Sequence, residues 1–218
     1  MSERSDIPRL RRVPVQARSR ARVQRMIDAA DEVLAAEGAE ALTTTRVAEA
    51  AGVSVGSLYQ YLPDKGAIVE AVAGRYLAEF EGLMAELERE ASASPGAWDD
   101  PVGRLIDAFS ELYRARPGYR ALWFGRDLTE ELRAADRENK AALAEGVRRI
   151  ALALELASDD AYLRVACRAG VLVTDSILQE AFRADPHGDP ALIEEAKRIL
   201  RPYLAEVVRR YAEGRRAA

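Results

Sequence analysis

The 218-residue chain is 49% hydrophobic and 31% charged, with a formal net charge of −4, so it can bury a sizeable core in one large or two small domains. Its one cysteine, Cys167, excludes an internal disulfide, and its one histidine, His187, excludes a histidine-rich metal cluster. The start, MSERSDIPRLRRVP, has charge and proline where a signal peptide needs an apolar core, and no apolar run approaches the roughly 20 residues that span a bilayer, so a cytoplasmic location is expected.

Arg4, Arg9, Arg11, Arg12, Arg18, Arg20, Arg22 and Arg25 crowd the N-terminus against only Glu3 and Asp6. Residues 1–17 are read as a flexible basic arm, solvated on its own and able to settle on phosphates or in a minor groove when a neighbouring domain docks. The positive field is therefore local, within a chain that is acidic overall. From Ser19 to Glu37, the residues Val23, Ile27, Ala30 and Leu34 recur on one helical face, and Gly38 stands where a C-cap belongs.

The stretch TTTRVAEAAGVSVGSLYQYLPDK, Thr43 to Lys65, predicts two short helices around a tight turn. Thr43 and Thr44 offer N-cap hydroxyls, and Val47, Ala48 and Ala51 follow at helical spacing. Gly52 can close that helix in the left-handed conformation, with Val53 turning inward. Ser54 caps a second helix, whose inward stripe is Leu58 with Tyr61 or Leu62 behind it, and Pro63 ends it. Val55, Gly56, Ser57, Tyr59 and Gln60 are left outward or partly so. Such a pair of helices fits a DNA major groove. The alternative is an ordinary helical hairpin inside a bundle, which would leave the tyrosines and the glutamine without a use.

Asp64 caps a long helix whose face Ile68, Val69, Val72, Tyr76, Phe80, Leu83 and Leu87 suits a connecting lever. A loop over Ala91–Pro101 follows, then helices over Val102–Arg116, Thr129–Leu156, Asp159–Arg183 and Pro190–Glu213, with a short segment at Tyr119–Phe124. Pro202 is expected to kink the last of them. No strand alternation or internal repeat is visible, so the fold class is all-α. The domains are expected at 18–64 and 65–218, the first a three-helix domain and the second larger.

Around the break at Pro117-Gly118, Tyr113, Tyr119, Trp123 and Phe124 cluster in sequence, and Phe80, Met84 and Phe109 can face them. Aromatic walls with few polar groups suit an apolar small molecule; plain core packing explains the same residues. In the last two helices Val171, Thr174, Ile177 and Leu178 make one apolar face, and Ile199, Tyr203, Leu204 and Val207 make another. Doubled about a two-fold axis, such a pair gives a four-helix bundle; alternatively, both faces close the core of one chain.

Thr43 to Lys65 resembles the DNA-binding segment of the TetR family of bacterial transcriptional regulators. The resemblance is carried by Val47-Ala48, Ala51-Gly52-Val53-Ser54, Leu58-Tyr59-Gln60-Tyr61-Leu62 and Asp64-Lys65, and nothing beyond Lys65 is motif-like. It implies a homodimer on a pseudo-palindromic DNA operator, with recognition helices about one helical turn, roughly 34 Å, apart. It also implies a small-molecule effector, of unknown identity, bound in the second half and releasing a repressor from DNA. By this reading Thr44, Thr45, Ser57, Tyr59 and Lys65 meet phosphates, while Val55, Gly56 and Gln60 lie nearest the bases. Val55 stands where relatives commonly carry lysine or another polar residue, so an apolar contact with a thymine methyl, Gln60 and DNA shape would share the readout.

Catalysis finds no support. His187 lies in a loop and Cys167 on an apolar helical face, so no nucleophile, base and orienting group can be assembled. No glycine-rich phosphate loop appears, and no cofactor or metal is expected. Two further functions fit the same helices: a helical small-molecule-binding protein, and a DNA-binding regulator without effector control. Retardation of a DNA duplex separates the first of these from a DNA-binding repressor.

Overall fold

The computed structural model describes residues 17–123 and 130–217. The arm before Ala17 and the expected pocket residue Phe124 lie outside them. Nine α-helices follow in chain order among the described residues: α1 Ala17–Glu37, α2 Thr44–Ala50, α3 Val55–Tyr59, α4 Lys65–Ala93, α5 Pro101–Ala115, α6 Pro117–Trp123, α7 Glu130–Ala153, α8 Ala161–Ala184 and α9 Pro190–Ala217. No described residue is in a strand, and no helix of the structure is long and apolar enough to cross a membrane.

Helix boundaries follow local chemistry. Gly38 sits at φ +83 and donates its N–H to the Leu34 carbonyl, which closes α1. Asp64 Oδ1 accepts the Ala67 N–H at 2.8 Å at the start of α4, and Asp160 Oδ1 accepts that of Leu163 at 2.8 Å at the start of α8. The loop expected from Ala91 is shorter, because α4 runs on to Ala93 and Pro95–Ala97 forms a 3-10 turn. It is also anchored: Trp98 is buried, with the Arg104 guanidinium 4.7 Å from its ring centroid. Helix α7 ends at Ala153 rather than Leu156, since Glu155 turns to φ 56. Helix α9 continues through Pro202.

The chain divides into two compact units. The first runs through Ala78 and takes in Arg116–Leu132; the second holds Glu79–Ala115 and the chain from Arg133 onward. The expected boundary at residue 65 is thus displaced into α4, which contributes residues to both units, and α6 belongs to the first. Packing explains the return of α6. Gly118 lies directly against Asp31 of α1 and the Tyr76 hydroxyl of α4, where any Cβ would collide. Tyr119 and Trp123 stack with centroids 5.0 Å apart, and Tyr76 meets the Tyr119 ring edge-on at 5.4 Å. The Tyr76 hydroxyl donates to Asp31, which also pairs with Arg75. Burial, followed by the hydrogen bond to Asp31, pushes the Tyr76 phenol well above its ordinary pKa.

The first unit has its core in Met26, Leu34, Leu42, Val47, Leu58, Leu62, Ile68 and Val72, each no more than 1% exposed. Each such side chain contributes roughly 1.5–3 kcal/mol of burial. In the second unit α8 and α9 form an antiparallel pair on which α5 packs. Lys197 of α9 meets Asp107 of α5 at 2.7 Å, and Arg201 meets Asp100 at 2.7 Å. The hydrogen bond from Arg201 holds the Asp100 carboxyl below its usual range.

Candidate nucleic-acid interface and ligand cavity

Helices α2 and α3 are joined by a turn that needs glycine. Gly52 sits at φ +64 and donates to the Glu49 carbonyl at 3.1 Å, and the Val53 N–H reaches back to the Ala48 carbonyl at 3.0 Å. These two bonds form a Schellman ending to α2, in which only a residue without a Cβ takes the left-handed position cheaply. Thr43 caps α2 by accepting the Arg46 N–H at 3.1 Å, and Ser54 caps α3 by accepting that of Ser57 at 3.2 Å.

Leu58, Tyr61 and Leu62 are all buried, which resolves the inward stripe of α3 and its exit. Both candidates behind Leu58 turn inward, so Tyr61 is not available as an outward ring. Tyr59 is the exposed tyrosine of this segment, at 42%. Its phenol lies 3.2 Å from the Thr44 hydroxyl, a bond between α3 and the first turn of α2 that periodicity does not reveal. Thr45, Gly56 and Gln60 are exposed; Val55, Ser57 and Thr44 are half-buried. A Cβ at Gly56 would meet nothing within 4 Å, so the surface beside α3 is open. Lys65 is exposed and donates to the Ala39 carbonyl at 2.9 Å, which ties the start of α4 to the loop after α1. Arg46, which sequence reasoning passed over, is held by Glu37 at 2.6 Å and by Glu49. Its i,i+3 spacing to Glu49 was the available signal.

The second unit holds a cavity of about 150 Å³, partly open to solvent, among α5, α7, α8 and α9. Leucine, isoleucine, valine, alanine and phenylalanine dominate its wall, and Tyr113, Cys167, Thr174, Asp175 and Tyr203 bring polar atoms. Of the residues expected to line a pocket, Phe109 and Tyr113 do so. Phe80 instead stacks behind Phe109 at 5.6 Å, and Met84 packs against Gly146. Trp123 is a core residue of the first unit, because α6 packs on α1. Burial pushes the Cys167 thiol up to about 11, so the cavity holds a neutral thiol.

The residues expected at a dimer interface divide between the cavity wall and the exposed surface, with Tyr203 on both. Val171, Thr174, Leu178, Tyr203, Leu204 and Val207 all contribute to the cavity wall. Ile177 is half-buried, and Ile199 is 50% exposed. The exposed apolar side chains of the pair are Val165, Leu172 and Val173 on α8 and Ile199 and Tyr203 on α9. Both helices carry apolar residues on two faces, and sequence periodicity did not separate the inward one from the outward one.

Two family models match. The N-terminal one, of bacterial regulatory proteins of the tetR family, covers residues 26–72, and the tetracyclin repressor-like C-terminal domain covers residues 96–208, half of the chain. The chain belongs to the TetR family. The first TetR match spans the helix-turn-helix, and the second spans α5, α7 and α8 and most of α9. Similar chains include the HTH-type transcriptional repressor KstR of Mycolicibacterium smegmatis, 39% identical over 96 residues, which are 44% of each chain. The chain spans 33% to 50% of the length of the curated relatives it matches. Among solved structures, a TetR-family transcriptional regulator from Streptomyces coelicolor is 30% identical with a TM-score of 0.65, covering 87% of this chain and 98% of that one. The multidrug binding protein EbrR complexed with ethidium is 27% identical with a TM-score of 0.58, covering 84% and 97%. The relatives in these matches are named as regulators, repressors or binding proteins, none of them as an enzyme.

Proposed function

We propose that this TetR-family chain is a ligand-responsive transcriptional repressor that binds a pseudo-palindromic DNA operator as a homodimer. The observation that carries the reading is α3 itself. It is a five-residue helix anchored through Leu58, and it leaves Gly56, Tyr59 and Gln60 facing outward. A helix so lightly buried contributes little to the core, and its exposed groups are those that read a major groove: an amide for bidentate contact with adenine, an apolar Val55 for a thymine methyl, and hydroxyls for phosphates. The Thr44–Tyr59 bond pre-orients the phenol, so less side-chain freedom is lost on docking. Thr44, Thr45, Ser57, Tyr59 and Lys65 are assigned to phosphates.

The cavity of the second unit is assigned to the effector, a reading supported by the named relatives that repress transcription and by EbrR, whose structure holds ethidium. Helix α4 has residues in both units and is the natural lever between them. An effector that prefers the arrangement with the wrong half-site spacing lowers operator affinity by population shift. The exposed stripe Val165, Leu172, Val173, Ile199 and Tyr203 is assigned to the partner subunit.

Gel retardation of the DNA upstream of the chain's own gene tests the reading. The wild type retards that duplex at moderate salt, whereas Tyr59→Ala loses retardation at unchanged sedimentation. Absence of retardation by the wild type would overturn the reading, and equal retardation by the two proteins would remove Tyr59 from the interface.

A further inference from the structure

Asp175, on α8, is the only charged side chain on the cavity wall among the described residues. The other polar side chains there, Tyr113, Cys167, Thr174 and Tyr203, carry hydroxyls or a thiol, and none is basic. A carboxylate accepts hydrogen bonds and donates none, so the one charge on the wall is complementary to a donor. The rest of the wall is apolar and suits a hydrocarbon body.

Two groups already meet Asp175, and both meet the same oxygen. Lys140 Nζ of α7 lies 2.8 Å from Oδ2, and Gln179 Nε2, one turn along α8, donates to Oδ2 at 2.9 Å. Among the described residues, none donates to Oδ1. Nor does Lys140 serve Asp175 alone. Its Nζ also reaches Asp136 Oδ2 at 2.6 Å, so one positive charge is divided between two carboxylates. Neither Lys140 nor Asp136 contributes to the wall. A cationic donor on Oδ1 would touch the carboxylate, with Lys140 on the other oxygen; attraction to the nearer charge exceeds repulsion from the farther one. An anion would face the carboxylate with no basic side chain on the wall to pair it. Burying a ligand's charge costs least where a partner stands ready and water is not wholly excluded. Asp175 meets both conditions, since its side chain is 16% exposed in a cavity partly open to solvent.

Resting on the assignment of this cavity to the effector, we propose that its ligand is an amine: an apolar body whose protonated nitrogen donates to Asp175 Oδ1. Calorimetric titration of the full chain with matched primary amines, alcohols and carboxylates on octyl, adamantyl and naphthylmethyl bodies tests this. In the series whose body fits, the amine binds roughly tenfold or more tighter than the alcohol, and the carboxylate binds weakest. Asp175→Asn, with helical circular dichroism and cooperative melt retained, lowers amine affinity roughly tenfold and changes alcohol affinity by less than about twofold. Asp175→Ser serves if the amide disturbs folding. If no amine outbinds its matched alcohol and carboxylate, or if both Asp175 variants leave amine affinity unchanged, the ligand class is overturned. The effector role is read separately, as release of the retarded duplex by the tightest amine. Binding without release would leave the ligand class standing and overturn the effector assignment. Absence of binding in every series would overturn both.

Discussion

Tyr59 and Tyr61 stand two positions apart, yet one is exposed and the other is part of the core. A five-residue helix has too few turns for periodicity to decide which of Tyr61 and Leu62 follows Leu58 inward; in the structure both do. Cys167 was legible as a buried thiol from its place on an apolar face, but its position on a cavity wall was not. The raised thiol pKa, about 11, makes a prediction. Because burial favours the neutral form, the thiolate that attacks disulfide reagents is scarce at neutral pH. The native chain should react with a chromogenic disulfide far more slowly than a denatured control, and faster as the pH rises toward the raised pKa. Equal rates in the native and denatured chains would show the thiol to be accessible.

At the scale of elements, the turn between α2 and α3 was readable because its cause is local. Gly52 takes the left-handed conformation, and the Schellman bonds on either side of it involve residues within one turn. Gly52→Ala should destabilise the first unit by about 1–2 kcal/mol, the cost of a Cβ in that conformation. Chemical denaturation measures this, and an unchanged midpoint would show that the turn relaxes without cost. Helix α6 was not readable in the same way. Its aromatic residues looked equally suited to a pocket, and what places Tyr119 and Trp123 in the first unit is the close approach of Gly118 to Asp31, remote in sequence. The apolar faces of α8 and α9 posed the same difficulty. Six of the residues expected at a partner subunit lie on the cavity wall, because periodicity shows that a face is buried but not what buries it.

For the whole molecule, charge and apolar exposure each support a prediction. The arginines before Ala17 carry the local positive charge of an otherwise acidic chain. Deleting residues 1–16 should flatten the dependence of operator affinity on salt, by about 0.9 in the log–log slope for each phosphate the arm had neutralised. An unchanged slope would exclude the arm. Leu172 and Ile199, 44% and 50% exposed, lie on the stripe assigned to the partner subunit. Leu172→Glu should therefore shift the protein toward monomer in analytical ultracentrifugation, and an unperturbed dimer would move the interface elsewhere. The sequence by itself determined the all-α class, the helix-turn-helix with its caps and glycine turn, and the family, since each depends on interactions within a few residues. Only the tertiary structure decided that α4 serves two units, that α6 joins the first, and that α5, α7, α8 and α9 leave a mostly apolar cavity between them. Those features arise where side chains distant in sequence meet, and a helical period records only that one face of each helix is covered.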